Sequence, residues 1–454
     1  MSTSNCPGLL HIVPTRDGGI CRIRLSGGML SAAHAEALAH AAEQYASGPI
    51  DVTNRANLQV RGIRAGHEAA FSMALIQAGL GPGGQCDLSP QAAAAQDTVR
   101  NLMISPVAGR DPAATIDTRP VAEALLAMLL AEPRFAQLSP KFALMLDGGE
   151  RLAMREHPHD IWLLALPRTC PDADACVQFA FGFAGCPPSG IELASVSRAW
   201  GATSPSQVTA LVRALLHAFL DLAQPGQSRM RDLLVTHSPE QLLQQARTYL
   251  DFAPAPVPEW PQTIPADPML RFGPHRQRDA SRWWIGAQPP LGRLDTSTLR
   301  ALAQLAREVS ASSTLHMTPW QGVLLPDVAQ QDIDRTMSAL TRLGFACTGR
   351  EPLARMIACT GSSGCARALA DTKADATALA QRLGASHDIH LSGCPRSCAA
   401  AHQSAHTLLA VAPGTYDMYR RDGSTGFGTC AARHVSLEQA AGEIARSARS
   451  TSDV

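Results

Sequence analysis

The chain carries two copies of one pattern, and this limits the folds open to it more than any other feature. "GMLSAAHAEALAHAAEQYASGPIDVTNRANLQV" begins at Gly28 and "GRLDTSTLRALAQLAREVSASSTLHMTPWQGVLL" at Gly292. Both read as turn, amphipathic helix, loop and strand. Leu30, Leu38 and Ala39 match Leu294, Leu302 and Ala303 at a single offset, and a Ser or Asp before each helical run supplies an N-cap. One inserted residue then sets "TNRANLQV" opposite "TPWQGVLL". A second echo aligns "RNLMIS" at Arg100 with "RMIACT" at Arg355. At the same offset of 255, Ser139-Pro140-Lys141 falls on Cys394-Pro395-Arg396, Ile104 on Cys359, Gly109 on Gly364 and Ala143 on Cys398. Two similar halves imply an α+β chain with a pseudo-twofold axis and a ligand between the halves.

At 454 residues the chain is too long for one hydrophobic core. The pattern divides it into a small α+β unit over 1–80 and a larger α+β domain over 92–245. An extended Pro-rich linker follows over 251–268, then a repeat of the small unit over 270–345 and of the larger over 346–450. Thirty-nine Lys and Arg balance 39 Asp and Glu, which argues against a nucleic-acid partner while leaving room for a local basic pocket. No apolar run reaches the length of a membrane span. The N-terminus has no basic segment leading into an apolar core, so the expectation is a cytoplasmic protein with no secretory signal and no membrane partner. Thiols stay reduced there, so twelve cysteines read as metal ligands plus buried residues, not as disulfides.

Four of the twelve stand in close pairs, Cys359 and Cys365 as CxxxxxC and Cys394 and Cys398 as CxxxC. Four thiolates are the usual ligand set of a [4Fe–4S] cluster. Zinc pairs are usually spaced more tightly than the first pair, so zinc fits less well; zinc and ordinary buried thiols are the alternatives. The sequence predicts a helix opening at Cys365 and another opening at Pro395 after the short strand "DIHLS", so that two helix N-termini face the thiolates. Cys170 and Cys176 also form CxxxxxC, with Cys186 in "GCPPSG", but no CxxxC follows and they read as ordinary thiols. Elsewhere, alternation along "TNRANLQVR" predicts a strand with Thr53, Arg55, Asn57, Gln59 and Arg61 on one face and Val52, Leu58 and Val60 on the other. An unbroken polar face suits a pocket wall, and arginine forks suit carboxylates even when partly desolvated.

The cysteine pattern with "GCPRSC", the "TNRANLQ" strand and the duplicated frame together resemble the sirohaem nitrite/sulfite reductase superfamily, over roughly residues 6–435. "CPGLLHIVPTRDGGICRIRLSGGML" and the short chain resemble its precorrin-3B synthase branch. The resemblance implies an oxidoreductase with ferredoxin-like small units and a [4Fe–4S] cluster on Cys359, Cys365, Cys394 and Cys398. It sets Arg22, Arg100 and Lys141 where sulfite reductases hold their anion with two arginines and two lysines; Ala143 replaces the second lysine. It also sets Arg24, Thr53, Arg55, Asn57, Gln59, Arg61 and Gln321, with Arg64 nearby, along the substrate site.

For this branch the implied reaction converts precorrin-3A to precorrin-3B. Dioxygen hydroxylates the macrocycle and a ring acetate closes a lactone, with the substrate where the reductases hold sirohaem. A non-haem iron is implied beside the cluster. Its ligands are open, because His316, His390, His402 and His406 read as structural or surface residues. Electrons are expected from a separate NAD(P)H-dependent reductase or a ferredoxin-like donor. "GLGPGG" at Gly79 follows a helix-like run and leads into a loop, which does not suit a dinucleotide site. Two rivals stand: a sirohaem-dependent sulfite or nitrite reductase, and a non-catalytic iron–sulfur electron carrier.

Overall fold

A computed structural model describes residues 6–81, 90–167, 177–188, 198–257, 260, 265–423 and 426–452; Cys170 and Cys176 lie outside them. Four five-stranded sheets form two pairs of alike topology. In the first small unit, Val13–Thr15, Gly18–Ile23, Leu58–Ile63 and Ile50–Val52 run antiparallel in that order. Arg293–Leu294, from the second unit, closes the edge. The second unit repeats this with Gly273–Arg276, Arg282–Ala287, Val323–Ala329 and Thr314–Met317, closed by Met29–Ser31 from the first. Each unit thus lends a short strand to the other.

The two equivalent helices, Ala32–Tyr45 and Thr296–Val309, start where the sequence puts their caps. Ser31 accepts from His34 N (3.1 Å) and Asp295 from Thr298 N (2.7 Å). The helices bury Leu38, Ala39, Leu302 and Ala303 in one apolar core common to both units. The matched turns also coincide: Thr53 N donates to Asn57 O (2.8 Å) and Thr318 N to Gly322 O (2.9 Å). Ala56 and Gln321 take the same left-handed conformation, at φ 55° and 64°.

The larger domains match as well. Leu102–Ile104, Leu144–Asp147 and His159–Ala165 are parallel, followed by antiparallel Phe179–Gly185 and Gly201–Thr203. Met356–Ala358, Ile389–Ser392 and His406–Ala412 are parallel, followed by antiparallel Thr415–Arg420 and Thr429–Ser436. The helices Arg119–Ala131 and Thr372–Leu383 lie in the crossovers between the first two strands of each.

This topology corrects part of the second echo. Leu102 pairs with Leu144, and Met356 with Ile389, so the offset falls from 254 before the crossover to 245 after it. The first crossover is longer, and a constant offset fails across it. Ser139-Pro140-Lys141 precedes its strand while Cys394-Pro395-Arg396 follows the equivalent one. Lys141 and Arg396 therefore belong to opposite sheet edges. The described part of the Pro-rich linker is pinned: Ala255 exchanges both backbone hydrogen bonds with Ala202 (2.8 Å each), and Trp260 packs edge-on to Trp162. Among the described residues, no helix is long and apolar enough to cross a membrane.

Candidate functional site

The three parallel strands of the first larger domain begin at one sheet edge, and a cleft of about 230 Å³ opens there. Arg100, Asn101, Leu102 and Met103 come from the first strand and its approach, Ala143 and Leu144 from the second, and His159 from the third. Arg55 and Asn57 enter from the turn of the first small unit. Arg55 reaches the Lys141 carbonyl at 3.4 Å. Its environment is short of negative charge: burial and the neighbouring Arg229 and Arg22, only partly offset by Asp160, bring its pKa down to about 10. Burial likewise lowers Arg100, which stays near Asp97 (3.5 Å) and donates to Arg24 O (3.0 Å). Such a cluster favours an anion.

Of the expected residues, Arg55, Asn57 and Arg100 line this cleft and the others do other work. The continuous polar strand does not form. Residues 53–57 are a turn, with Ala56 in the left-handed region, so the two-residue alternation breaks there. Thr53 Oγ1 accepts from Asn57 N (3.1 Å) and Asn57 Oδ1 from Leu25 N (2.8 Å), so both hold the turn in place. Arg24 is buried and paired with Asp97 at 2.6 Å. Arg61 forks onto Asp17 (2.7 and 2.8 Å) and donates to Gly364 O (2.7 Å), which makes it a strap on the cysteine loop. Arg64 bonds the carbonyls of Ala46 and Gln44. Gln59 accepts from Arg22 at 3.5 Å, and Arg22 lies close enough to Cys398 to feel its charge. Gln321 is buried beside Ala399 O (3.5 Å). Lys141 is exposed, and its ammonium makes no hydrogen bond or ion pair among the described residues. His159 was the missed member with a legible signal, a His-Asp pair opening the apolar strand "HDIWLLA".

The four thiols sit on loops after strand ends. Cys359 follows Met356–Ala358, and Cys394 and Cys398 follow Ile389–Ser392. Neither predicted helix start holds. The helix begins at Thr372, capped by Asp371, and residues 365–370 are instead turns tied to Gly393 O through Leu369 N (2.9 Å). Residues 394–398 form no helix. The helix end does meet a thiol, but it is Cys359, whose Sγ lies 3.3 Å from Thr372 Oγ1 and accepts from Gly393 N (3.2 Å). Lys373 Nζ bonds Ala358 O (3.2 Å) next to Cys359.

All four thiols are free. Burial raises the Cys398 pKa, as do the charges of Cys394, Cys359 and Cys365, so Cys398 lies within electrostatic reach of the other three thiols. Yet among the described residues no group of three or more His, Cys, Asp or Glu could hold a single metal ion. Four thiolates are the ligand set that a [4Fe–4S] cluster takes, and Cys359, Cys365, Cys394 and Cys398 are the residues that would hold one. A non-haem iron finds no fitting ligand group among the described residues.

Comparisons with known proteins agree with this architecture. Residues 95–253 match the nitrite and sulphite reductase 4Fe-4S domain, which supports an iron–sulfur cluster. That match covers the half without the four paired cysteines; the half that has them repeats its topology. Residues 13–77 and 275–343 each match the nitrite/sulfite reductase ferredoxin-like half domain. The ferredoxin–nitrite reductase of Synechococcus elongatus is 30% identical over 396 residues, covering 84% of this chain and 73% of the relative. The precorrin-3B synthase of a Sinorhizobium species is 25% identical over 460 residues, covering 100% of this chain and 90% of the relative. The Mycobacterium tuberculosis NirA protein superposes with a TM-score of 0.74 at 19% identity, covering 95% of this chain and 80% of that one, which shows the shared fold. With its duplicated half domains and relatives matched along most of its length, the chain belongs to the nitrite and sulfite reductase superfamily and is an oxidoreductase.

Proposed function

We propose that this oxidoreductase acts on a carboxylate-bearing tetrapyrrole, converting precorrin-3A to precorrin-3B with dioxygen and an external reductant. The observation that carries the reading is Ala143. It lines the cleft at the position that, by family resemblance, holds the second anion-binding lysine of sulfite reductases, while Lys141 points its charge into solvent. What remains is a cleft of arginines and amides. The cleft is open to solvent and its enclosed space is only water-sized, so it takes the tip of a carboxylate arm and leaves the ring outside. Full-length similarity to a precorrin-3B synthase supports the same reading.

Arg55 and Arg100 present planar donors that pair a ring carboxylate and stay charged on desolvation. Asn57, locked by Leu25 N, fixes the turn from which Arg55 projects. Balanced overall, the substrate and dioxygen take two electrons and two protons; one oxygen atom enters the macrocycle and the other leaves as water. Cys359, Cys365, Cys394 and Cys398 would hold the cluster, which when bound would supply electrons one at a time. Their source is a separate NAD(P)H-dependent reductase or ferredoxin-like donor in the cytoplasm. No step is assigned to a non-haem iron, for which the described residues offer no ligand set.

The second reading, reduction of nitrite or sulfite on sirohaem, is favoured by the 30% identity to a nitrite reductase. One experiment separates the two. Protein purified without oxygen is given reductant, precorrin-3A and isotopically labelled dioxygen, and in parallel nitrite. Gain of one labelled oxygen by the macrocycle is the expected result. An intense sirohaem absorption band with nitrite consumption and an unchanged precorrin would overturn the proposal.

A further inference from the structure

We propose that His159 is a specificity residue of this cleft: its Nε2 accepts a hydrogen bond from an N–H or O–H that the ligand presents beside the carboxylate held by Arg55 and Arg100. The inference rests on the tetrapyrrole reading for the ligand's class and adds to it a requirement on the ligand's own hydrogens.

His159 is 3% exposed and forms part of the cleft wall with Arg55, Arg100 and Ala143. Its Nδ1 lies 2.7 Å from the His157 carbonyl oxygen. A carbonyl only accepts, so Nδ1 carries the proton and Nε2 carries the lone pair. The anchor is itself braced from the other half of the molecule. His157 Nε2 lies 2.9 Å from His402 Nδ1, their ring centroids 5.0 Å apart, so the segment presenting the carbonyl is tied to the loop that follows Cys398. Burial, then the positive charges of Arg55 and Arg229, keep the His159 ring neutral, with a pKa of about 3. The cleft therefore offers two kinds of partner: guanidinium donors for an anion and, in His159 Nε2, a fixed acceptor.

This combination discriminates by chemistry. Nitrite has no hydrogen to donate, and a lone pair aimed at it repels. A macrocycle whose acidic side arms stand beside an N–H or O–H group satisfies both partners at once. An unmet acceptor in a desolvated site is costly, which is what gives hydrogen-bonding sites their selectivity.

The test uses the holoenzyme and two isosteres. In His159→Asn the amide nitrogen takes the place of Nδ1 and keeps the bond to His157 O, but nothing remains at Nε2. In His159→Gln the amide reaches the Nε2 position. Dissociation constants are measured without oxygen for precorrin-3A and for nitrite, with melting curves to check folding. The expected result is a roughly tenfold weaker precorrin-3A complex in His159→Asn, recovery in His159→Gln, and nitrite binding no weaker than wild type in either. Precorrin-3A binding to His159→Asn as tight as wild type would overturn the assignment, as would equal weakness in both variants with native melting curves. Arg100→Ala separates this inference from the reading beneath it. If Arg100→Ala weakens precorrin-3A and His159→Asn does not, only the His159 role falls. If the wild-type protein does not bind precorrin-3A, the tetrapyrrole reading falls and this inference with it.

Discussion

Asp97 sets the charge balance of the cleft. It is 2% exposed, pairs with Arg24 at 2.6 Å and approaches Arg100 at 3.5 Å, and it accepts from Leu9 N at 3.3 Å. Removing one partner of a buried pair leaves a desolvated charge, which costs about 3–5 kcal/mol. Asp97→Asn is therefore expected to lower the urea midpoint clearly and, by removing the carboxylate that competes for Arg100, to tighten carboxylate binding; an unchanged midpoint would show that Arg24 finds another anion. Ala143 bears on function more directly. Ala143→Lys would put an ammonium into a cleft that has arginines only, strengthening nitrite binding by at least about tenfold and excluding precorrin-3A. If neither affinity moves, Ala143 is not what separates the two activities.

The cysteine loops depend on close backbone approach. A Cβ on Gly364 would stand 2.5 Å from Asp17 Oδ2 and 2.9 Å from the Arg61 guanidinium, the pair that straps this loop to the first small unit. Gly364→Ala should displace Arg61 and shift Cys365. Iron and labile sulfide per chain would then fall while the far-UV spectrum stays native; full cluster content in the variant would mean the strap does not position the thiols. The sequence showed the four thiols, the strand "DIHLS" and the two equivalent helices with their caps, because those signals are local. It misplaced the helix start, since "CARALAD" looks helical and the Leu369 bond to Gly393 that prevents it is tertiary. The polar strand failed for a similar reason: nothing in Ala56 announces a positive φ. Which arginines are free was equally invisible, because Arg24 and Arg61 meet their carboxylates 73 and 44 residues away.

At the scale of the molecule the halves need each other. Met29–Ser31 and Arg293–Leu294 are exchanged between the small units, whose core is common, so residues 1–257 alone are expected to be insoluble and to recover on co-expression with residues 265–454. The duplication was legible because repeated patterning survives divergence; the strand exchange was not, because two-residue and three-residue strands carry no period. Buried histidines make the assembly sensitive to acid. His159, His316 and His390 each have a folded-state pKa of about 3, first because burial disfavours the charged ring. The neighbouring charges differ: Arg55 and Arg229 at His159, Arg110, Arg119 and Asp327 at His316, and His402 and Asp388 at His390. Above the unfolded value, about 6.5, neither state binds a proton there. Below it the unfolded chain takes protons that the folded chain refuses, so stability falls as pH drops from about 6.5 towards 3, by about 2 kcal/mol per histidine at about pH 5. Urea midpoints measured down this range should fall steeply. His316, whose Nδ1 donates to Pro106 O and whose Nε2 is buried without a partner among the described residues, gives the cleanest control. His316→Gln removes one of several titrating histidines, with His157 and His402 also lowered, and should flatten the acid limb by about 2 kcal/mol at about pH 5. An unaltered slope would place the acid sensitivity in the carboxylates.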